Sequence, residues 1–273
     1  MILIADSGST KTDWALVPST QFFTTPGINP FHQSKRMIRE TLAGISQSVR
    51  HAVRCVVFYG SGVTPEQETA MVELLREAFP LAETVEAHSD LLGAARAMCG
   101  YKEGIASILG TGANSCLYDG ERIVRNTPAL GYILGDEGSG AVLGRRFLNA
   151  LYKGALSDKI KQGFEAETGL TMAAVIQRVY REPLANRFLA SLSEFIHRHT
   201  DDEAVRSLVI SNFEDFFQKN ILPYDRRDLP VSFVGSIAWH YQEELREAAR
   251  RQDFCVGTVL KSPIEGLVAY HQS

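Results

Sequence analysis

The chain has little of what marks several protein classes. Among its 273 residues are only four cysteines, Cys55, Cys99, Cys116 and Cys255. They lie far apart, with no CxxC pair and no Cys/His cluster at zinc spacing, so no zinc site is expected and the thiols read as free and buried. Positive charge is not in excess. The 28 Lys and Arg against 32 Asp and Glu leave a formal net charge of −4, too little to neutralise a phosphate backbone, and no nucleic-acid partner is expected. Long hydrophobic runs are missing too. The longest stretch without a charged residue, Trp14 to Ser34, contains three prolines and many polar side chains, so no membrane span is expected. The opening MILIADSGST has neither a basic segment nor an apolar run long enough for a signal peptide, which makes the cytoplasm the expected compartment. No short repeat and no compositionally biased segment is present.

What is there is ordinary for one large or two ordinary globular domains: 45% hydrophobic and 22% charged residues. Short apolar runs at Ile2–Ala5 and Asp13–Val17 flank a polar turn, as in a hairpin. Cys55–Tyr59 reads as a buried strand, Glu66–Ala78 as a helix with Ala70, Met71, Leu74, Leu75 and Ala78 on one face, Thr84–Ala87 as a strand and Leu91–Cys99 as a helix. The pattern then restarts. Ile105–Leu109 and Ser115–Tyr118 flank a second turn, residues 172–221 read as helical, and Val231–Val234 leads through Gly235-Ser236 into a helix over Ala238–Arg250. Two α/β lobes, each opening with strand, glycine turn and strand, are expected, with the boundary near Gly100–Gly104. The apolar faces within 172–221 suit either core packing, the preferred reading, or a homodimer surface.

Five segments are candidates for chemistry. Asp6-Ser7-Gly8-Ser9-Thr10-Lys11-Thr12 lacks P-loop spacing, but a turn of Gly, Ser and Thr offers N–H groups and hydroxyls to a phosphate, and Asp6 at the strand end suits Mg²⁺ held through water. Gly110-Thr111-Gly112-Ala113-Asn114-Ser115 is a second such turn. Either alone equally reads as a solvated hairpin; two, one opening each lobe, point to a nucleotide phosphate. In Gly131-Tyr132-Ile133-Leu134-Gly135-Asp136-Glu137-Gly138-Ser139-Gly140, Asp136 reads as a ligand-binding acid or as a helix N-cap. Asp90, where a strand meets a helix, has the same two readings. Gly235-Ser236 is a strand-to-helix join able to take a nucleotide or simply to turn the chain.

Together and in this order the segments resemble the actin, sugar-kinase and heat-shock-chaperone ATPase superfamily, and GTGANS followed by LGDEGSG, with Asp90 upstream, resembles the N-acetylglucosamine kinase and BadF/BadG/BcrA/BcrD-type ATPase family over nearly the whole chain. The resemblance implies a two-lobed actin-like (ribonuclease H-like) α/β fold, a duplicated mixed sheet with helices and a cleft between lobes. Its N-terminal lobe would be 1–103, with a C-terminal helix at 262–273 packing back on it, and its second lobe 104–261. It implies ATP and Mg²⁺ as cofactors and phosphorylation of the 6-hydroxyl of an amino sugar, N-acetylglucosamine first. Asp90 would be the base. Gly8, Ser9, Thr10, Lys11, Thr12, Gly110, Thr111 and Gly112 would hold phosphates, and Gly235 and Ser236 the adenosine. Asn29, Asn114, Gly131, Tyr132, Asp136 and Glu137, with Asp90, would hold the sugar. Iron–sulfur branches of the family carry cysteines at the second turn; this chain has none there, so no cluster is expected, and the cysteine-rich zinc motif of the ROK-type sugar kinases is absent as well. The alternatives are a partner-regulating ATPase of the same fold and a non-catalytic nucleotide or sugar sensor.

Overall fold

The computed structural model describes residues 1–8, 10–19 and 21–273. The chain divides into two compact units, Met1–Lys102 with Asp119–Ile123 and Ser262–Ser273, and Glu103–Tyr118 with Val124–Lys261. The turn Asp119–Ile123, expected in the second lobe, groups with the first unit; the carbonyl of Tyr101 lies against Gly120, whose φ of +102° suits that approach.

The first unit is built on a five-stranded sheet of β1 (Ile2–Ser7), β2 (Lys11–Val17), β3 (Gln21–Pro26), β4 (Cys55–Gly60) and β5 (Thr84–Ser89), in the order β3-β2-β1-β4-β5. The strands β1, β2 and β3 form an antiparallel meander, whereas β1, β4 and β5 run parallel. Because side chains alternate across a strand, Leu3, Ala5, Val56 and Phe58 face one side and Ile4, Val57 and Tyr59 the other. The first side packs against α1 (Lys35–Ala43) and α3 (Pro65–Ala78), with α2 (Gln47–Ala52) beyond; the second packs against α4 (Asp90–Cys99) and the last helix, whose Ile264 and Leu267 join that core. Trp14 is fully buried, its indole N–H donating to Thr25 Oγ1 at 2.9 Å.

The second unit repeats the plan. Its strands β6 (Gly104–Leu109), β7 (Ala113–Tyr118), β8 (Ile123–Thr127), β9 (Val231–Val234) and β10 (Val256–Leu260) are ordered β8-β7-β6-β9-β10, the same sequence of first, second, third, fourth and fifth strand. The hairpin β6–β7 is antiparallel, and β9 runs parallel to both β6 and β10. Between β8 and β9 lie α5 (Gly131–Leu134), α6 (Gly140–Tyr152), α7 (Asp158–Thr168), α8 (Met172–Tyr180), α9 (Ala185–Ser191), α10 (Ser193–Arg198) and α11 (Glu203–Phe216), the last continued as one wide turn over Phe217–Ile221. Val205, Val209, Phe213, Phe216 and Phe217 are buried in the core of this unit, while Leu208 packs partly buried against it. The helix expected over Ala238–Arg250 is two helices, α12 (Ser236–His240) and α13 (Gln242–Arg251). The chain breaks at Tyr241, which is buried and donates its hydroxyl to the carbonyl of Ser193. Then β10 ends the sheet, and α14 (Ile264–Gln272) closes the chain in the first unit.

All four cysteines are free, but only Cys116 is buried; Cys55 and Cys99 are half-buried and Cys255 is exposed. Among the described residues no helix is long and apolar enough to cross a membrane. Gly144 lets α6 meet α9 backbone to side: a Cβ there would stand 2.0 Å from the Leu189 carbonyl oxygen. Gly144→Ala is therefore expected to destabilise the protein by about 1–3 kcal/mol, the range for overpacking, read as a lower urea midpoint with an unchanged slope.

Candidate functional site

In the first unit the carboxyl ends of the parallel strands stand side by side. Ser7 pairs with Gly60, and Gly60 with Ser89, so Asp6-Ser7, Gly60-Ser61 and Ser89-Asp90 end on one edge, where open α/β sheets place ligands. The β1–β2 turn is closed by Gly8 N–H donating to Lys11 O at 3.0 Å. Ser9 lies outside the described residues. Thr10 is exposed, and its carbonyl accepts from Gly27 N–H at 3.0 Å. Lys11 and Thr12 belong to β2 rather than to the turn. Thr12 is fully buried, its hydroxyl 2.7 Å from Ser7 Oγ and donating to Pro26 O, so it locks the hairpin to the Pro26–Ile28 segment instead of facing outward. The Lys11 ammonium sits 2.7 Å from Asp13 Oδ2 and is largely exposed; such a pair is weak in water and can be exchanged for a phosphate.

Asp6 is opposite Asp13 across the hairpin. Loss of hydration, then the nearby carboxylates of Asp90 and Asp13, push its pKa up to about 7, Lys11 opposing. Asp90 is the first residue of α4, and the helix is capped by its neighbour: Ser89 Oγ accepts from Leu92 N–H. That excludes the N-cap reading of Asp90. Burial raises its pKa, against backbone N–H bonds from Leu91 and from Asp90 itself. Asn29 is half-buried, its Oδ1 accepting from the N–H groups of Phe31 and His32 and its Nδ2 donating to Ser61 Oγ at 3.4 Å. Gly62, at φ +81°, makes room for it.

In the second unit the β6–β7 turn is closed by Gly110 N–H donating to Gly112 O, and the carbonyls of Gly110 and Thr111 accept from Gly140 and Ala141 N–H at the start of α6. The capping residue of α6 is Ser139, not Asp136: Ser139 Oγ accepts from Val142 N–H, whereas Asp136 stands apart at φ +52°. Its carboxylate lies against Gly112, where a Cβ would meet Oδ2 at 3.0 Å. Desolvation lifts Asp136 to about 6, opposed by N–H bonds from Ala113 and Gly131 and aided by Glu137. Thus Gly112, Gly131 and Asp136 come together at the second turn. Tyr132 is half-buried and its carbonyl accepts from Arg145 at 2.8 Å. Glu137 points elsewhere, toward Lys219 (3.2 Å) and Asn220 (3.4 Å). Burial pushes the pKa of Glu137 up, but N–H bonds from its own backbone and those two side chains hold it lower overall. Asn114 Oδ1 accepts from Asn126 Nδ2 of β8 at 2.9 Å. Gly235, at φ +122°, presses on the end of β6, with a Cβ position 2.3 Å from Leu109 O, and the exposed Ser236 opens α12.

Ser61, Asn126, Lys219 and Asn220 were not singled out from the sequence, and Ser7 stood in the first candidate turn without a role of its own. Only Ser7 and Ser61 had a signal, each lying beside a glycine at the end of an apolar strand.

No family model and no curated protein sequence matches the chain. A provisionally assigned N-acetylglucosamine kinase from Porphyromonas gingivalis is similar over 99% of this chain and 98% of its own, at 49% identity and a TM-score of 0.96. The chain belongs to the N-acetylglucosamine kinase family. A provisionally assigned N-acetylglucosamine kinase from Chromobacterium violaceum covers 98% of both chains at 20% identity and a TM-score of 0.74. MreB5 of Spiroplasma citri, in its ADP-bound structure, covers 99% of this chain and 94% of its own at 12% identity and a TM-score of 0.54. This family member has the actin-like ATPase fold, a mixed five-stranded sheet in each unit.

The carboxylate cluster sets a pH test. An acid whose pKa is higher folded than unfolded destabilises the folded state increasingly as pH rises from its unfolded to its folded value, fully above the latter, and has no such effect below its unfolded value. With metal-free protein, Asp6→Asn should therefore stabilise the fold at pH 8 by on the order of 1–3 kcal/mol, seen as a higher melting temperature. The gain should vanish as pH falls from about 7 toward 3.8. Thermal scans across that range check it, and a gain that persists at the acid end contradicts it.

Proposed function

We propose that the protein is an ATP-dependent sugar kinase that transfers the γ-phosphoryl group of ATP to the 6-hydroxyl of an amino sugar, N-acetylglucosamine before others. Family membership supports the reaction class. The observation that carries the assignment within this chain is Asp90: a desolvated carboxylate at the carboxyl ends of the parallel strands β1, β4 and β5, its charge felt by Asp6 beside a glycine turn. A raised pKa brings a carboxylate closer to the neutral range in which a general base works best, and such a base contributes roughly 10²–10⁴-fold.

The roles follow from what each group offers. Asp90 accepts the proton of the attacking hydroxyl. In the first unit the exposed Thr10 and Lys11 beside Gly8, and in the second the backbone N–H groups of Thr111 and Gly112 beside Gly110, are the donors assigned to phosphate oxygens, and Gly235 and Ser236 to the adenosine. The Asp136 carboxylate, already oriented by Ala113 and Gly131 N–H, accepts hydrogen bonds from sugar hydroxyls, with Gly131 and Tyr132 beside it. Asn29 and Asn114 each retain amide N–H capacity toward the sugar. Glu137 acts on that pocket through Lys219 and Asn220.

The donor set near Asp6 fits Mg²⁺: hard carboxylate oxygens whose mutual repulsion a divalent cation relieves. Among the described residues no three His, Cys, Asp or Glu side chains form a ligand group, and attachment of one carboxylate through water is a mode Mg²⁺ favours. Asp6 would hold the ion, which when bound with ATP neutralises phosphate charge.

ADP release with Mg-ATP across N-acetylglucosamine, N-acetylmannosamine, glucosamine, glucose and no sugar tests the proposal. Release that depends on one amino sugar is expected; release indifferent to sugar overturns the kinase in favour of a partner-regulating ATPase. Asp90→Asn should lower kcat by about 10²–10⁴-fold while sugar still binds in calorimetry. Asp136→Asn should instead raise the sugar KM by about 10- to 100-fold, matching the 1.5–3 kcal/mol of a charged hydrogen bond.

A further inference from the structure

Tyr59 is a fully buried phenol that the roles above do not use. It stands on β4 directly between Asp6 of β1 and His88 of β5. Its hydroxyl accepts from Arg96 Nη1 at 2.8 Å and is 2.9 Å from His271 Nε2. Burial, then the charge of Arg96, hold the His271 pKa down at about 4, so the ring is neutral near pH 7. Arginine has no acceptor; a neutral imidazole has one. The arrangement that uses the Tyr59 hydroxyl both as acceptor and as donor runs Arg96 N–H to Tyr59 O, and Tyr59 O–H to His271 Nε2.

This chain of bonds joins three elements around the helix that carries Asp90. Gly93 of α4 lies on the Tyr59 side chain, with a Cβ position 2.9 Å from it, and Gly266 of α14 lies on the Ala97 carbonyl of α4, at 2.4 Å by the same measure. The Arg96 guanidinium also covers the ring of Tyr270 at 5.2 Å, and Tyr270 stacks on Tyr101 at 4.6 Å. The Asp90 carboxylate, in turn, accepts N–H groups of Asp90 and Leu91, both in α4. Wherever α4 is held, Asp90 is held with it.

We infer that the C-terminal helix positions the base of the reaction: His271, through Tyr59 and Arg96, fixes α4 and so aims the Asp90 carboxylate. His271 and Arg96 are positioning residues: His271 is distant in sequence from the glycine turns and from the acids that touch substrate, and Arg96 follows Asp90 in the same helix. The inference rests on the kinase reading, in which Asp90 is the base. A displacement of a base by about 1 Å is enough to cost on the order of 100-fold in rate.

The test uses the full chain with His271→Ala and His271→Gln, whose amide oxygen can replace the Nε2 acceptor. Sugar-dependent turnover is followed with radiolabelled ATP. His271→Ala is expected to lower kcat by about 10- to 100-fold with both KM values within about twofold, and His271→Gln to restore most of the rate. In an Asp90→Asn background the alanine substitution should have no further effect, because coupled residues are non-additive. A wild-type kcat in His271→Ala, or an equal further loss in the Asp90→Asn background, overturns the inference. A second measurement needs no turnover: the Asp90 carboxyl carbon titrated by NMR in wild type and His271→Gln or His271→Ala, whichever folds. With alanine the Asp90 titration should move toward the ordinary carboxylate range as the helix loosens and water enters, and with glutamine it should stay as in wild type. An unmoved titration in alanine, or one displaced in glutamine as far as an alanine would displace it, overturns positioning even if no sugar is phosphorylated, the result that by itself would sink the kinase reading.

Discussion

Everything distinctive about this protein depends on the central strands of its two sheets, β1 and β6, being covered on both faces. A strand buried on both sides cannot carry a polar side chain along its length without leaving it unsatisfied. Leu3, Ile4 and Ala5, and Ile105, Ala106 and Leu109, are accordingly fully buried. In β1 the polar residues stand at the strand end, where the hairpin turn begins, whereas β6 carries one, Ser107, fully buried in mid-strand with no hydrogen-bond partner for its hydroxyl. In the first unit the parallel neighbours β4 and β5 end in register with β1, so Asp6 and Asp90 meet on one edge although their strands are separated by β4. In the second unit β9 joins α12 beside the end of β6, and α6 begins against the same turn.

The polar side chains that are buried near these ends mostly hold the backbone. Ser7 and Thr12 bind each other and the Pro26–Ile28 segment. Ser139 caps α6, and Asn212 Nδ2 reaches its carbonyl at 3.4 Å. Such bonds keep each turn rigid before any ligand arrives, which is how a site dominated by positioning and charge is prepared for phosphoryl transfer. The three carboxylates whose pKa values burial raises, Asp6, Asp90 and Asp136, are groups that a cation, a proton or a hydroxyl would relieve.

The two units share strand order but not what stands around it. The first is completed by α14, the last helix of the chain, which lies on β1, β2 and α4. The second carries a long helical insertion whose aromatic residues, Phe147, Phe164, Phe195, Phe213, Phe216 and Phe217, form much of its core. The insertion also supplies Lys219 and Asn220 to Glu137, and so ties an acid of the GDEGSG segment to the end of α11.

The order of elements, both glycine turns, Asp90 and the Asp136 segment were legible in the sequence, because buried strands are apolar runs and turns need glycine and hydroxyl residues. The strands β3, β8 and β10 were not. All three lie at sheet edges and are mostly exposed or half-buried, so their side chains carry no run or alternation to read. Nor was the break at Tyr241, which depends on a carbonyl in another helix. Local sequence determined which residues can form a turn, cap a helix or enter a core. Only the tertiary structure decided which polar groups stay available and which are engaged: Thr12 inside a hairpin, Glu137 on Lys219, Ser139 rather than Asp136 at a cap. The reason is that a hydrogen-bond partner is chosen by proximity in space, and proximity here joins residues as far apart as Tyr59 and His271.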